Sequence, residues 1–239
     1  MIGDRSEVFS SIDRSHLISG FRNKLYAYKK FLQEYPRTAS MCCLVQYLIP
    51  FDCLACEDPN CTHYGNSEFN REVIKLINEI KEQWPGSLHV VRKNLDRDER
   101  LTLWSMTKYL LITTLRDGQC IPPLEFIAVK KWQQKFRISA IIISEFSGNS
   151  KALGGVIKIN PSNTEEITKA MDTVIQMSEP EKSQRLQIAY NYIEKHSTLK
   201  WAAAYLKELK WNSDRQSGYS EESNLFFTGV GLMATLNKT

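Results

Sequence analysis

Two short stretches hold residue types that could do chemistry. The first is LRDGQCIPPLE, residues 115–125, which follows the apolar run YLLITTL. A strand, then Asp-Gly, then two prolines and a Glu is how a sheet protein presents a loop to a phosphate-bearing ligand. Loop N–H groups and the positive end of the following helix would face the anion. Pro122 and Pro123 bring no N–H to such a cradle, although Pro122 suits a first helical position. A plain strand–turn–helix junction has the same composition, and there Asp117 is a turn residue and Glu125 merely suits the helix dipole. The second stretch is CLACEDPNCTH, which places Cys53, Cys56, Cys61 and His63 within one short loop. Thiolates and imidazole are zinc ligands, but a single residue between Cys61 and His63 is not a usual knuckle spacing. The alternatives are a zinc site and a loop with scattered thiols.

The bulk properties bound what can surround these stretches. The chain has 239 residues, 42% of them hydrophobic, which suffices for a sizeable core. A net charge of +4 with no long block of like charge argues against a nucleic-acid partner. No apolar stretch reaches the length of a membrane span. The start, MIGDRSEVFSSIDRS, lacks an apolar signal core, so a cytoplasmic location with reduced cysteines is expected. Cys42 and Cys43 fall in an apolar run and are expected in the core.

Apolar β-branched runs predict strands over 42–49, 88–91, 109–115, 138–144 and 155–159. They are nearly continuous rather than alternating, as for strands covered on both faces. Helices are predicted between them, over 22–34, 69–84 and 98–107. The 69–84 segment puts Phe69, Val73, Leu76, Ile77, Ile80 and Trp84 on one face. Beyond residue 160 the pattern is helical, over 165–177, 180–195 and 198–210, with Asn163 as an N-cap and Glu166 three residues on. Alternating strands and helices predict an α/β, Rossmann-like three-layer domain with a parallel sheet and a helical C-terminal segment. Ligands are expected outside the carboxyl ends of the strands. Residues 1–211 form this domain, and 212–239 read as a polar linker and apolar tail.

Several stretches in order carry a family resemblance: IDRSHLISGF, KLYAYKKFLQEYP, LVQYLIP, YLLITTLRDGQCIPPLEFIA, IIISEFSGNSKALGGVIKINPSNTEEITKAM and YIEKHSTLKWAAAYLKEL. Together, over roughly residues 10–211, they resemble the C-terminal half of trehalose-6-phosphate synthases. These are retaining glycosyltransferases of the two-lobed glycosyltransferase-B fold. The tail's GVGL is similar to the segment joining synthase to phosphatase domains in fused members. The resemblance implies transfer of glucose from UDP-glucose to glucose 6-phosphate in trehalose biosynthesis. It implies no cofactor beyond the UDP-glucose donor, and no protein nucleophile. The N-terminal lobe of such enzymes supplies most acceptor contacts, and this sequence begins where the second lobe is expected to begin.

The same resemblance assigns residues. The family neutralises the UDP phosphates with an Arg and a Lys five residues apart; those positions hold Arg14 and Ser19. Fixed cations stabilise the charge that builds on the departing diphosphate, and a hydroxyl does not replace one. The family's Asp-Gly-Met-Asn-Leu-Val followed by Glu is here Asp117, Gly118, Gln119, Cys120, Ile121 and Pro122, followed by Glu125. Asp117 would face the sugar, and Glu125 would accept from the ribose diol. Leu95 falls at a contact on the uridine side. Asp52 stands where an Arg would hold the acceptor phosphate, and an anion there repels it. Arg22 or Lys24, on the following helix, could compensate for Ser19. The expected function is the donor-binding lobe of a trehalose-6-phosphate synthase-like enzyme, inactive as an isolated chain. Such a lobe would need an N-terminal lobe or a synthase/phosphatase subunit as partner. The alternative is a catalytically degenerate regulatory or scaffolding subunit that binds UDP-glucose or active synthases.

Overall fold

The computed structural model describes residues 6–15, 17–49 and 68–216. Phe69's side chain, Asp52 and the Cys53, Cys56, Cys61, His63 set lie outside the described residues, as does the chain after Gln216. The chain divides into two compact units, residues 1–192 and 193–239.

Six parallel strands form the sheet of the first unit among the described residues: β1 Glu7–Arg14, β2 Cys42–Ile49, β3 Leu88–Arg92, β4 Tyr109–Ile112, β5 Ala140–Ser144 and β6 Ile157–Ile159. Their order is β3-β2-β1-β4-β5-β6. The helices are α1 Phe21–Glu34, α2 Pro36–Ala39, α3 Glu68–Gln83, α4 Arg97–Met106, α5 Pro122–Trp132, α6 Gly148–Ala152, α7 Thr164–Gln176, α8 Glu179–Lys195 and α9 Thr198–Gln216. Strand order grows outward in both directions from the β1–β4 pair. Right-handed crossovers therefore send α1 and α3 to one face and α4 and α5 to the other. The core follows: Phe9, Tyr28, Phe31, Ile80, Tyr109 and Met171 join in one cluster between the sheet and α1, α3 and α7. Trp104 of α4 packs edge-on against Phe126 of α5 on the other face, ring centroids 6.4 Å apart. This is the α/β Rossmann-like architecture expected.

The differences from expectation are local. β1, the central strand, is not predicted at all, because EVFSSIDR buries Ser10, Ser11 and Asp13 beside only three apolar residues. Its polar groups find partners remote in sequence. Lys24 of α1, completely buried, donates to both Ser11 Oγ and Asp13 Oδ2. Gln46 Nε2 on β2 donates to the same Asp13 oxygen at 2.8 Å, and Ser11 Oγ does so at 3.1 Å. β4 stops at Ile112, so Thr113 and Thr114 leave the ladder for another task described below. β4 and β5 are buried on both faces, as predicted, but β2 and β3 are not. Val45, Tyr47, Val91 and the side chains of α4 leave an apolar groove of about 1000 Å³ on that face. The helix ends obey their chemistry. Asp96 and Glu99 close a reciprocal capping box on α4, and Asn163 accepts from the Glu166 N–H at the start of α7. In the second unit, α9 runs to Gln216, through the start of the expected linker.

Burial strips hydration from the Lys24 ammonium and pushes its pKa down, and the Asp13 carboxylate opposes that shift. Removing one member leaves the other charged and uncompensated. Lys24→Met is expected to lower stability by about 3–5 kcal/mol, and Asp13→Leu combined with Lys24→Met to recover much of it. Urea denaturation of the single and double variants checks this.

Candidate donor site

β1 and β4 are neighbours whose chains depart to opposite faces of the sheet, so a crevice opens at their carboxyl ends. A cavity of about 730 Å³ occupies it. Arg14 and Ser19 from the β1–α1 connection line it, with Asp117 and Ile121 from the β4–α5 connection and Glu125 from the first turn of α5. Residues far apart in sequence and singled out from it are thus brought to one place. Arg100, Arg116 and the buried Asp13 line it too.

The two connecting loops are tied together. Gly20 caps α1 with φ of 70°, and a Cβ there would lie 1.8 Å from the Thr113 carbonyl oxygen. Only glycine fits. The Thr113 hydroxyl donates to the Gly20 carbonyl at 3.2 Å, and the Leu115 N–H to the Ile18 carbonyl at 2.8 Å. That is why β4 ends early: its last residues bond to the loop after β1. On the far side, the β4–α5 connection is held by the segment following β5. Asp117 bridges Ser147, and the Gly148 N–H donates to the Gly118 carbonyl at 2.9 Å. The Asn149 amide donates to the Cys120 carbonyl. SEFSGNS contributes to the resemblance, but nothing in the sequence says that its Ser147, Gly148 and Asn149 clamp residues 117–120.

Glu125 is well engaged. Arg100 Nη2 donates to its Oε1 at 3.0 Å, and Trp104 Nε1 to its Oε2 at 3.0 Å. Burial alone would raise its pKa; the Arg100 and Trp104 bonds overcome burial and hold the carboxyl below the ordinary value. Arg100 Nε also lies 3.3 Å from both oxygens, so each oxygen accepts two contacts and the carboxylate's lone-pair sites, about four in all, are engaged. The ion pair therefore orients Glu125 at the wall of the cavity. Arg100 is the cation that sequence reading missed here; its spacing from Glu125 carries no signal.

The start of α5 is poor in free donors. Pro122 and Pro123 hold the first two positions, and the N–H groups of Leu124 and Glu125 both donate to the Ile121 carbonyl. Backbone donors for an anion therefore do not come from the first four residues of α5. Cys120 is buried, and burial followed by the Asp117 carboxylate pushes its thiol pKa far up, so it is a neutral thiol and no nucleophile.

Three expected contributors lie elsewhere. Leu95 is buried and lines the groove beside α4; its carbonyl accepts from Arg100 Nη1 at 3.3 Å. Arg22 pairs with Glu72 of α3 at 3.3 Å, and Lys24 is spent on Asp13 beneath the cavity. Neither lines the cavity beside Ser19, whose hydroxyl accepts from the Phe21 N–H at 3.4 Å.

The fold is a Rossmann-like α/β domain with a cavity at the carboxyl ends of its strands, where the strand order reverses. Comparison with known proteins agrees and goes further. The model of Glycosyltransferase family 20 matches residues 2–211, and the chain belongs to that family. Alpha,alpha-trehalose-phosphate synthase [UDP-forming] 2 of Aspergillus fumigatus is 28% identical over 208 residues, covering 85% of this chain and 41% of that protein. The probable alpha,alpha-trehalose-phosphate synthase [UDP-forming] 4 of Arabidopsis thaliana is 30% identical, over 94% of this chain and 27% of its own length. This chain thus spans under half the length of these relatives. Among solved structures, the trehalose-6-phosphate phosphatase N-terminal domain of Candida albicans superposes with a TM-score of 0.75 at 22% identity, covering 89% of this chain and 43% of that one. A UDP-forming synthase from Burkholderia xenovorans gives 0.76 at 18% identity, covering 87% and 45%.

A Cβ on Gly148 would lie 2.3 Å from the Gly118 carbonyl oxygen. Gly148→Ala should therefore cost about 1–3 kcal/mol and loosen residues 117–120; denaturation and amide exchange of that loop measure both. Glu125→Gln should lower stability at pH 7 by roughly 1 kcal/mol. A carboxyl with a depressed pKa stabilises above its ordinary titration range and loses that contribution as pH falls through the depressed value. The gap between wild type and Glu125→Gln should accordingly close in acid, as followed by urea midpoints across pH.

Proposed function

We propose that this chain is the donor-binding lobe of a trehalose-6-phosphate synthase-like glycosyltransferase and takes UDP-glucose in the crevice between β1 and β4. The observation that carries the reading is the convergence of Arg14, Ser19, Asp117, Ile121 and Glu125 on one cavity at the strand-order reversal. Glu125, held ionised by Arg100, accepts from the ribose diol. Arg14 faces the diphosphate and stabilises the charge that grows on it as the glycosidic bond breaks. Asp117 and the N–H groups beside it meet the sugar. No cofactor is required. Cys120, as a neutral thiol, contributes no covalent step.

The isolated chain binds donor without transferring it, and acceptor contacts come from a first lobe or another subunit. The second unit supports a protein partner: Leu199, Trp201, Tyr205, Leu206, Leu209 and Trp211 of α9 are all exposed. A location in the cytoplasm accompanies this reading, and no helix among the described residues is long and apolar enough to cross a membrane. A second reading, a regulatory or scaffolding subunit that has lost catalysis, is favoured by Ser19 and by the donor-poor start of α5. The fold also occurs as the N-terminal domain of a trehalose-6-phosphate phosphatase.

Calorimetry with uridine, UDP and UDP-glucose on the 239-residue chain tests the proposal. Saturable UDP binding is expected. Arg14→Ala should weaken UDP about 10-fold or more and leave uridine unchanged, whereas Glu125→Ala should weaken both. No heat at millimolar UDP sinks the donor reading.

A further inference from the structure

We propose that Arg116 supplies the second phosphate-binding cation of this site, in place of the lysine that Ser19 displaces. The inference rests on the donor reading and adds a residue that specifies the diphosphate. It follows from an inventory of the basic side chains around the cavity. Lys24 is buried beneath it and committed to Asp13. Arg22 is paired with Glu72, and Arg100 with Glu125. Arg14 and Arg116 are the remaining guanidiniums that line the cavity. Both are exposed, and neither has an ion pair among the described residues.

Position strengthens the case. The Thr114 hydroxyl lies 3.2 Å from the Ile18 carbonyl oxygen and 3.2 Å from the Arg116 carbonyl oxygen, so one side chain links the backbones of both residues. The Leu115 N–H also donates to Ile18. Arg116 thus leaves the backbone within a few ångströms of the loop that carries Ser19. Arg14 ends β1 and Arg116 follows β4, so each of the two chain segments that are tied together carries one cation lining the cavity. A diphosphate between the loops would meet a guanidinium from each, and a guanidinium's planar fork suits phosphate oxygens. The start of α5 offers no free N–H from its first four residues, which raises the share of anion binding that side chains must carry.

Calorimetry of UDP and uridine decides it, using wild type, Arg14→Ala, Arg116→Ala, Ser19→Lys and the Ser19→Lys, Arg116→Ala double variant, with circular dichroism to confirm folding. Arg116 is exposed, so its truncation should leave the fold intact. Arg116→Ala is expected to weaken UDP about 10-fold and leave uridine within about twofold. In the Ser19→Lys background, the loss from Arg116→Ala should shrink to about threefold or less, because a lysine again provides the second charge. If Arg14→Ala weakens UDP while Arg116→Ala does not, the inference fails and the donor reading stands. An undiminished loss in the Ser19→Lys background also overturns it, since Arg116 would then act independently of position 19. If the wild-type chain binds no UDP, both readings fall together.

Discussion

The buried pair between Lys24 and Asp13 is the interaction on which the rest of the molecule depends. It joins α1 to the central strand, and through Gln46 it joins both to β2. A fully desolvated ammonium is tolerated only with such partners, since an isolated charge in an apolar interior is far costlier than any single packing contact. The pair sits directly under the cavity, with Asp13 on its floor. The element that anchors the sheet therefore also sets where Arg14, the next residue, leaves it.

Above that anchor, the site is assembled by tying loops together rather than by burying a rigid wall. Gly20 against Thr113 brings the loop after β1 onto the end of β4, and Gly148 against Gly118 brings the segment after β5 onto the donor loop. The Gly148 bond is backbone to backbone, and the close approach of Gly20 to the Thr113 carbonyl is reinforced by the Thr113 hydroxyl. The arrangement explains why β4 is short. Its last residues serve the loop-to-loop bonds instead of the ladder, and a longer strand would withdraw Thr113 and Thr114 from that role.

The electrostatics divide between a depleted helix start and well-placed side chains. Two prolines and two self-satisfied N–H groups leave α5 with its dipole and few donors. Arg14, Arg116 and the Arg100–Glu125 pair lie around the same space. The chain belongs to Glycosyltransferase family 20, and recognition of a nucleotide diphosphate is the proposal that this distribution of charge supports. The exposed aromatic and aliphatic residues of α9 belong to the second unit and are the ground for the proposed protein partner.

What was legible in the amino-acid order alone was whatever is written locally. Continuous apolar runs marked β2, β4 and β5, the 3.6-residue period marked α3, and Asn163 marked the start of α7, because each depends on neighbours a few residues away. The family resemblance, spread over ordered stretches, placed Arg14, Ser19, Asp117 and Glu125 on one site. β1 was not legible: a central strand containing Ser10, Ser11 and Asp13 resembles a surface segment until Lys24 and Gln46 arrive from other elements. Arg100 beside Glu125, the Gly148 clamp and the committed state of Arg22 and Lys24 were decided only in three dimensions. Hydrogen bonds and ion pairs between residues tens of positions apart leave no period or spacing in a single chain, and only the packing of the sheet brings their partners within reach.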